Sequence, residues 1–84
     1  MDKETAVVVF CATKKKISVD LEIPLFISAN DLVIALNEAF GLKIDTSNIK
    51  NCYLKAERPI AFLRGNKSLK EFGVRNGTTI YFTE

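Results

Sequence analysis

The side chains best suited to nucleophilic or metal chemistry in this chain are two thiols, Cys11 and Cys52, and there is no histidine. A cysteine attacks as its thiolate and ordinarily relies on a neighbouring base or positive charge to form it; no imidazole is present to serve. A structural zinc ion takes about four nitrogen or sulfur ligands. Two isolated cysteines, outside any Cys-x-x-Cys pair, fall short of that number. Both are therefore read as small core residues. Arg64-Gly65-Asn66-Lys67 is a polar loop, but it lacks the Gly-x-x-x-x-Gly-Lys-Ser/Thr spacing with which backbone amides cradle phosphate. Lys14-Lys15-Lys16 gathers positive charge, yet lipid-binding clusters hold roughly 4–8 basic residues; a solvated hairpin tip is the reading. No catalytic residue, cofactor site or metal site is expected.

The elements that would carry these residues fit one domain spanning residues 1–84. A net charge of +2 is too small to imply nucleic acid. No apolar run approaches the roughly 18 residues of a membrane-spanning helix. Met1-Asp2-Lys3-Glu4 lacks the basic-then-apolar layout of a signal peptide, so a cytoplasmic protein is expected.

Thr5–Ala12 is rich in β-formers and is read as a first strand. After the polar break Thr13–Lys16, residues Ile17 to Ile23 alternate apolar and polar without exception, the period of a strand with one buried face. Pro24 ends it. Ser28 is placed to cap a helix from Ala29 to Phe40, whose Ala29, Leu32, Val33, Leu36 and Phe40 share one face. Gly41 is its stop, and Ile34 falls off the stripe. Asn51–Ala56 and Ile60–Leu63 are read as a third and a fourth strand. Ser68–Phe72 is a short helical or 3₁₀ turn capped by Ser68, Gly73 supplies a positive φ, and Asn76-Gly77 turns the chain into a last strand from Thr79.

A hairpin, one amphipathic helix, two strands, a short turn and a final strand make an α+β chain in β-grasp order. The expected sheet is mixed and five-stranded, in the order 2-1-5-3-4. Lys67 to Val74 (Lys-Ser-Leu-Lys-Glu-Phe-Gly-Val), Arg75-Asn76-Gly77 before the last strand, the Ser28–Phe40 helix and the strand ending in Pro24 together resemble the small ubiquitin-like proteins of Gram-positive type VII secretion systems, the YukD/EsaB type. The resemblance covers roughly residues 5–84. It implies a cytosolic accessory protein that contacts components of a machine exporting WXG-type substrates, with no active-site motif to transfer. A sulfur carrier or conjugated modifier would need an activatable C-terminal Gly-Gly, whereas this sequence ends Tyr81-Phe82-Thr83-Glu84. A small structural subunit of another multiprotein or enzyme complex is the alternative.

With Ile17, Val19, Leu21 and Ile23 inward, Ser18, Asp20 and Glu22 face out. Cys52, Leu54, Ile80 and Phe82 are read inward, and Tyr53, Lys55 and Tyr81 outward. Strand one is ambiguous, because Val7 to Cys11 are all apolar. Taking Val7, Val9 and Cys11 inward leaves Val8 and Phe10 outward, while a shift of one residue exchanges the two sets. The first choice gives a partner-binding patch of Val8, Phe10, Tyr53, Lys55 and Tyr81. The same strand order sets an intervening strand between Cys11 and Cys52, roughly 9–10 Å, beyond reach of a disulfide.

Overall fold

The computed structural model describes residues 4–48 and 50–82. Strand β1 (Thr5–Ala12) pairs antiparallel with β2 (Ile17–Pro24) across a 3₁₀ turn at Thr13–Lys15, with Lys16 closing the connection at φ 54°. Helix α1 (Ala29–Phe40) follows, then β3 (Leu54–Glu57), β4 (Ala61–Leu63) and β5 (Thr79–Phe82). The sheet order is β2-β1-β5-β3-β4, with β5 parallel to β1 and antiparallel to β3. This is the expected mixed β-grasp sheet.

Helix α1 begins and ends where its sequence says. The Ser28 hydroxyl accepts from the Asp31 amide at 3.0 Å, satisfying one of the amide groups a helix leaves unpaired at its start. The Ala29 and Asn30 amides donate to the carbonyls of Lys67 and Gly65, so the 65–67 loop covers the same end. Gly41, at φ 62°, sends its N–H to the Asn37 carbonyl and stops the helix. Ala29, Leu32, Val33 and Leu36 are buried, and Ile34 is half-buried.

Two strands start later than the residue types suggest. Asn51 and Cys52 send their amides back to the Asn48 carbonyl at 2.9 and 3.1 Å, so β3 begins at Leu54 rather than Asn51. β4 begins at Ala61, because Arg58 to Ile60 form the turn. The Ser68–Phe72 segment is a capped turn: the Ser68 hydroxyl both accepts from the Glu71 amide and donates to its carboxylate, each at 3.2 Å. Gly73 follows at φ 85°, and a Cβ there would meet the Pro59 ring at 3.3 Å.

The core is formed by Ala6, Val8, Phe10, Ala12 and Ile80 from the sheet, the α1 stripe, and Leu42, Leu54, Leu63 and Leu69. Phe10 stacks obliquely on Phe40, ring centroids 5.0 Å apart. Strand β5 is fixed in the middle of the sheet by the turn before it. Asn76 Oδ1 accepts from the Val7 amide at 2.7 Å, Gly77 N–H donates to the Val7 carbonyl, and Val9 N–H donates to the Thr78 carbonyl. Thr78 is fully buried, and its hydroxyl donates to the Arg58 carbonyl at 2.6 Å while accepting from the Arg75 amide at 3.0 Å. One polar side chain thus ties the β3–β4 turn to the start of β5.

Candidate interaction surface

Strand β1 faces the opposite way from the expected register. Val8 and Phe10, expected on the open face, are 1% and 0% exposed; Val7, Val9 and Cys11 face out instead. The reason is hairpin parity. Four residues separate Ala12 from Ile17, which are partners, so Phe10 pairs with Val19, Val8 with Leu21 and Ala6 with Ile23. Directly opposed residues share a face, and β2 turns its odd-numbered apolar residues to the helix side, where Ile17, Leu21 and Ile23 join the core while Val19 stays 37% exposed. The even-numbered residues of β1 must follow. Burial of Phe10 under Phe40 adds about 1.5–3 kcal/mol of hydrophobic transfer, more than Cys11 would supply from the same face.

The open face is therefore built differently from the expected patch, around three of its five residues. The pairing register aligns Ser18, Cys11, Tyr81, Lys55 and Phe62 in one row across all five strands. Successive members lie roughly 4.8 Å apart. The neighbouring row runs Asp20, Val9, Thr79 and Glu57. Tyr53, just before β3, packs edge-on against Phe62 with centroids 5.9 Å apart. Phe62 remains 58% exposed, and Ile60 in the adjoining turn is 89% exposed. Tyr53, Lys55 and Tyr81 thus stand on the open face, joined by Val7, Val9, Cys11 and Phe62 in place of Val8 and Phe10, with Ile60 exposed in the adjoining turn.

Hydrogen bonding orients the centre of this face. The Tyr81 hydroxyl donates to the Glu57 carboxylate. That bond holds the phenol proton and raises the Tyr81 pKa above its ordinary 10.0, with partial burial and the Glu57 charge acting in the same direction. Lys55 lies between Tyr81 and Phe62 and is exposed. Beside it, a cleft of about 290 Å³ opens between the 42–45 loop and the end of β5, lined in part by Leu42, Ile44, Tyr53, Lys55, Tyr81 and Phe82. Asn37 fixes the loop wall. Its side-chain amide donates to the Ile44 carbonyl at 3.2 Å and accepts from the Ile44 amide at 2.8 Å.

The cysteines part company. Cys52 is buried and donates to Asn30 Oδ1 at 3.0 Å; burial raises its pKa. Cys11, expected in the core, stands half-buried on the open face with its sulfur 3.8 Å from the Ser18 hydroxyl. Both are free thiols, on opposite faces of the sheet. Among the described residues, no group of three or more Cys, Asp or Glu side chains is arranged to hold a metal ion, and no helix is long and apolar enough to cross a membrane.

Sheet order, single crossing helix and an open apolar face define a ubiquitin-like β-grasp domain. Solved structures of that class overlay well. The C-terminal ubiquitin-like domain of mouse tubulin-specific chaperone e matches with a TM-score of 0.74 at 13% identity, covering 96% of this chain and 87% of that one. A ubiquitin-like domain from tubulin-binding cofactor B matches with a TM-score of 0.71 at 22% identity, covering 93% and 87%. The ubiquitin-like domain of Plasmodium falciparum Dsk2 gives 0.63 at 18% identity, covering 95% and 100%. At these identities the likeness establishes the fold alone. No curated protein sequence matches. The family model described as "WXG100 protein secretion system (Wss), protein YukD" matches residues 6–82. The chain belongs to the YukD family, the ubiquitin-like proteins of WXG100 secretion systems.

Proposed function

We propose that this protein is a non-enzymatic accessory component of a WXG100 secretion system. It acts in the cytoplasm by binding protein components of that machinery through the open sheet face, and its C-terminus is not conjugated to other proteins. The observation that carries the reading is the row Cys11–Tyr81–Lys55–Phe62 with Tyr53 and Ile60 beside it. An aromatic and apolar surface with the charged Lys55 and Glu57 set among its residues is suited to partner recognition, and tyrosine supplies large contact area while keeping a polar tip. Membership of the YukD family supplies the pathway.

The test is affinity enrichment from a host that carries the secretion system. Wild-type protein is compared with Tyr81→Glu and Phe62→Glu, both of which alter the open face without entering the core. Co-enrichment of secretion-system subunits with wild type, and its loss with both variants, supports the reading. Equal recovery by all three, or a covalent adduct detected by intact mass, contradicts it.

A further inference from the structure

We propose that the outer edge of β2 is a strand-addition site for an extended segment in which apolar residues alternate with lysine or arginine. β2 is a sheet edge eight residues long, and its pairing with β1 runs from end to end without a bulge. The free backbone groups on that edge follow from one hydrogen bond. Leu25 N–H donates to the Glu4 carbonyl at 2.9 Å, marking Glu4 and Leu25 as a bonded pair. Bonded and non-bonded pairs alternate in an antiparallel ladder. Ile23, Leu21, Val19 and Ile17 therefore bond to β1. The N–H and C=O groups of Ser18, Asp20 and Glu22 point away from it. Strand β1 shows the complementary alternation, spending the backbone groups of Val7 and Val9 on the β5 side.

Side chains select the occupant. On one side of the edge, Val19 is 37% exposed and Ile17 and Leu21 are half-buried, a shelf for the apolar residues of an added strand. On the other side stand Asp20 and Glu22, both exposed, with Glu22 already accepting from the Thr5 hydroxyl. A second copy of β2 fits poorly. The two longest antiparallel registers set Asp20 against Asp20, or Asp20 against Glu22 twice, and like charges directly opposed destabilise a pair. Natural edges are commonly guarded by such charges against self-pairing. A partner strand carrying basic residues at those positions turns the guard into an attraction, while its backbone completes the ladder.

The experiment titrates the intact protein with a blocked peptide of alternating lysine and valine. Controls are the glutamate–valine analogue and a peptide of the same composition with lysines and valines in separate blocks. Hydrogen exchange at the Ser18, Asp20 and Glu22 amides is the readout, since added ladder bonds protect them. The alternating basic peptide is expected to slow exchange at these three positions by about tenfold or more at saturation. Asp20→Lys combined with Glu22→Lys is expected to weaken its binding about tenfold. Asp20→Pro removes one outward donor without taking a bond from β1, and abolishes the protection. Should that variant not fold, the double lysine variant decides. Equal binding of the block or glutamate peptide, no protection at the three amides, or the same protection arising from protein concentration alone overturns the proposal.

Discussion

Val7 and Val8 are adjacent and chemically identical, and truncation is expected to cost markedly more at Val8 than at Val7. Val8 is 1% exposed and faces Leu21 beneath the helix, while Val7 is 48% exposed on the open face opposite Glu22. Val8→Ala removes two buried methyl-sized groups at about 0.8 kcal/mol each and leaves a partly uncollapsed cavity, for a total of about 2–3 kcal/mol. Val7→Ala exposes roughly half as much area and opens no cavity, so about 0.8 kcal/mol is expected. The loss of strand propensity is common to both and cancels in the difference. That difference, about 1.2–2.2 kcal/mol, corresponds to roughly 5–18 °C in Tm for a domain of this size. Urea unfolding with an unchanged m-value gives the free energies directly. Equal losses, or a larger loss at Val7, would refute the assignment of strand faces and the open surface built on it.

Other perturbations probe the supports of that surface. Asn37→Ala deletes both hydrogen bonds to Ile44 and leaves its backbone groups unpaired, costing about 1–3 kcal/mol in chemical denaturation. Retained stability would show that the 42–45 loop is held by packing alone. Gly73→Ala is expected to destabilise by about 1–3 kcal/mol, because φ 85° disfavours a side chain and its Cβ would press on Pro59; a stabilised variant would contradict the turn geometry. Tyr81 should ionise above 10.0 in an ultraviolet titration, and Glu57→Gln should lower its pKa. A raised folded-state pKa favours the neutral phenol, so this stabilising contribution is intact below the unfolded value. It is lost as pH climbs from there through the folded value. An unchanged Tyr81 titration in Glu57→Gln would sink that account.

Much of the architecture was legible because local signals agreed with one another. Ser28 and Gly41 bracket a single apolar stripe, and α1 spans Ala29–Phe40 as read. The unbroken alternation from Ile17 to Ile23 set the face of β2. Strand β1 carried no such signal, since five consecutive apolar residues satisfy either face. The deciding information lay in the connector: four residues between Ala12 and Ile17 fix parity, and parity sends Phe10 inward. The opposite parity would put Val8 and Phe10 on the open surface and hide Val7, Val9 and Cys11. The role of Asn48 has no sequence signal, because nothing in the residue types of Asn51 and Cys52 shows that their amides fold back to its carbonyl. Phe62 and Ile60 lay in a segment too short for alternation to assign their faces. Only the pairing of Phe62 with Lys55 brings it into the row that holds Tyr81, with Lys55 between them.

The central claim, that the open face serves WXG100 export, is tested most directly by complementation. A host strain lacking this protein is supplied with wild type or with a folded Phe62→Glu/Tyr81→Glu double variant, and export of WXG100 substrates is measured. Restoration by wild type and failure of the double variant at equal abundance is the predicted result. Full export with the double variant would contradict the claim.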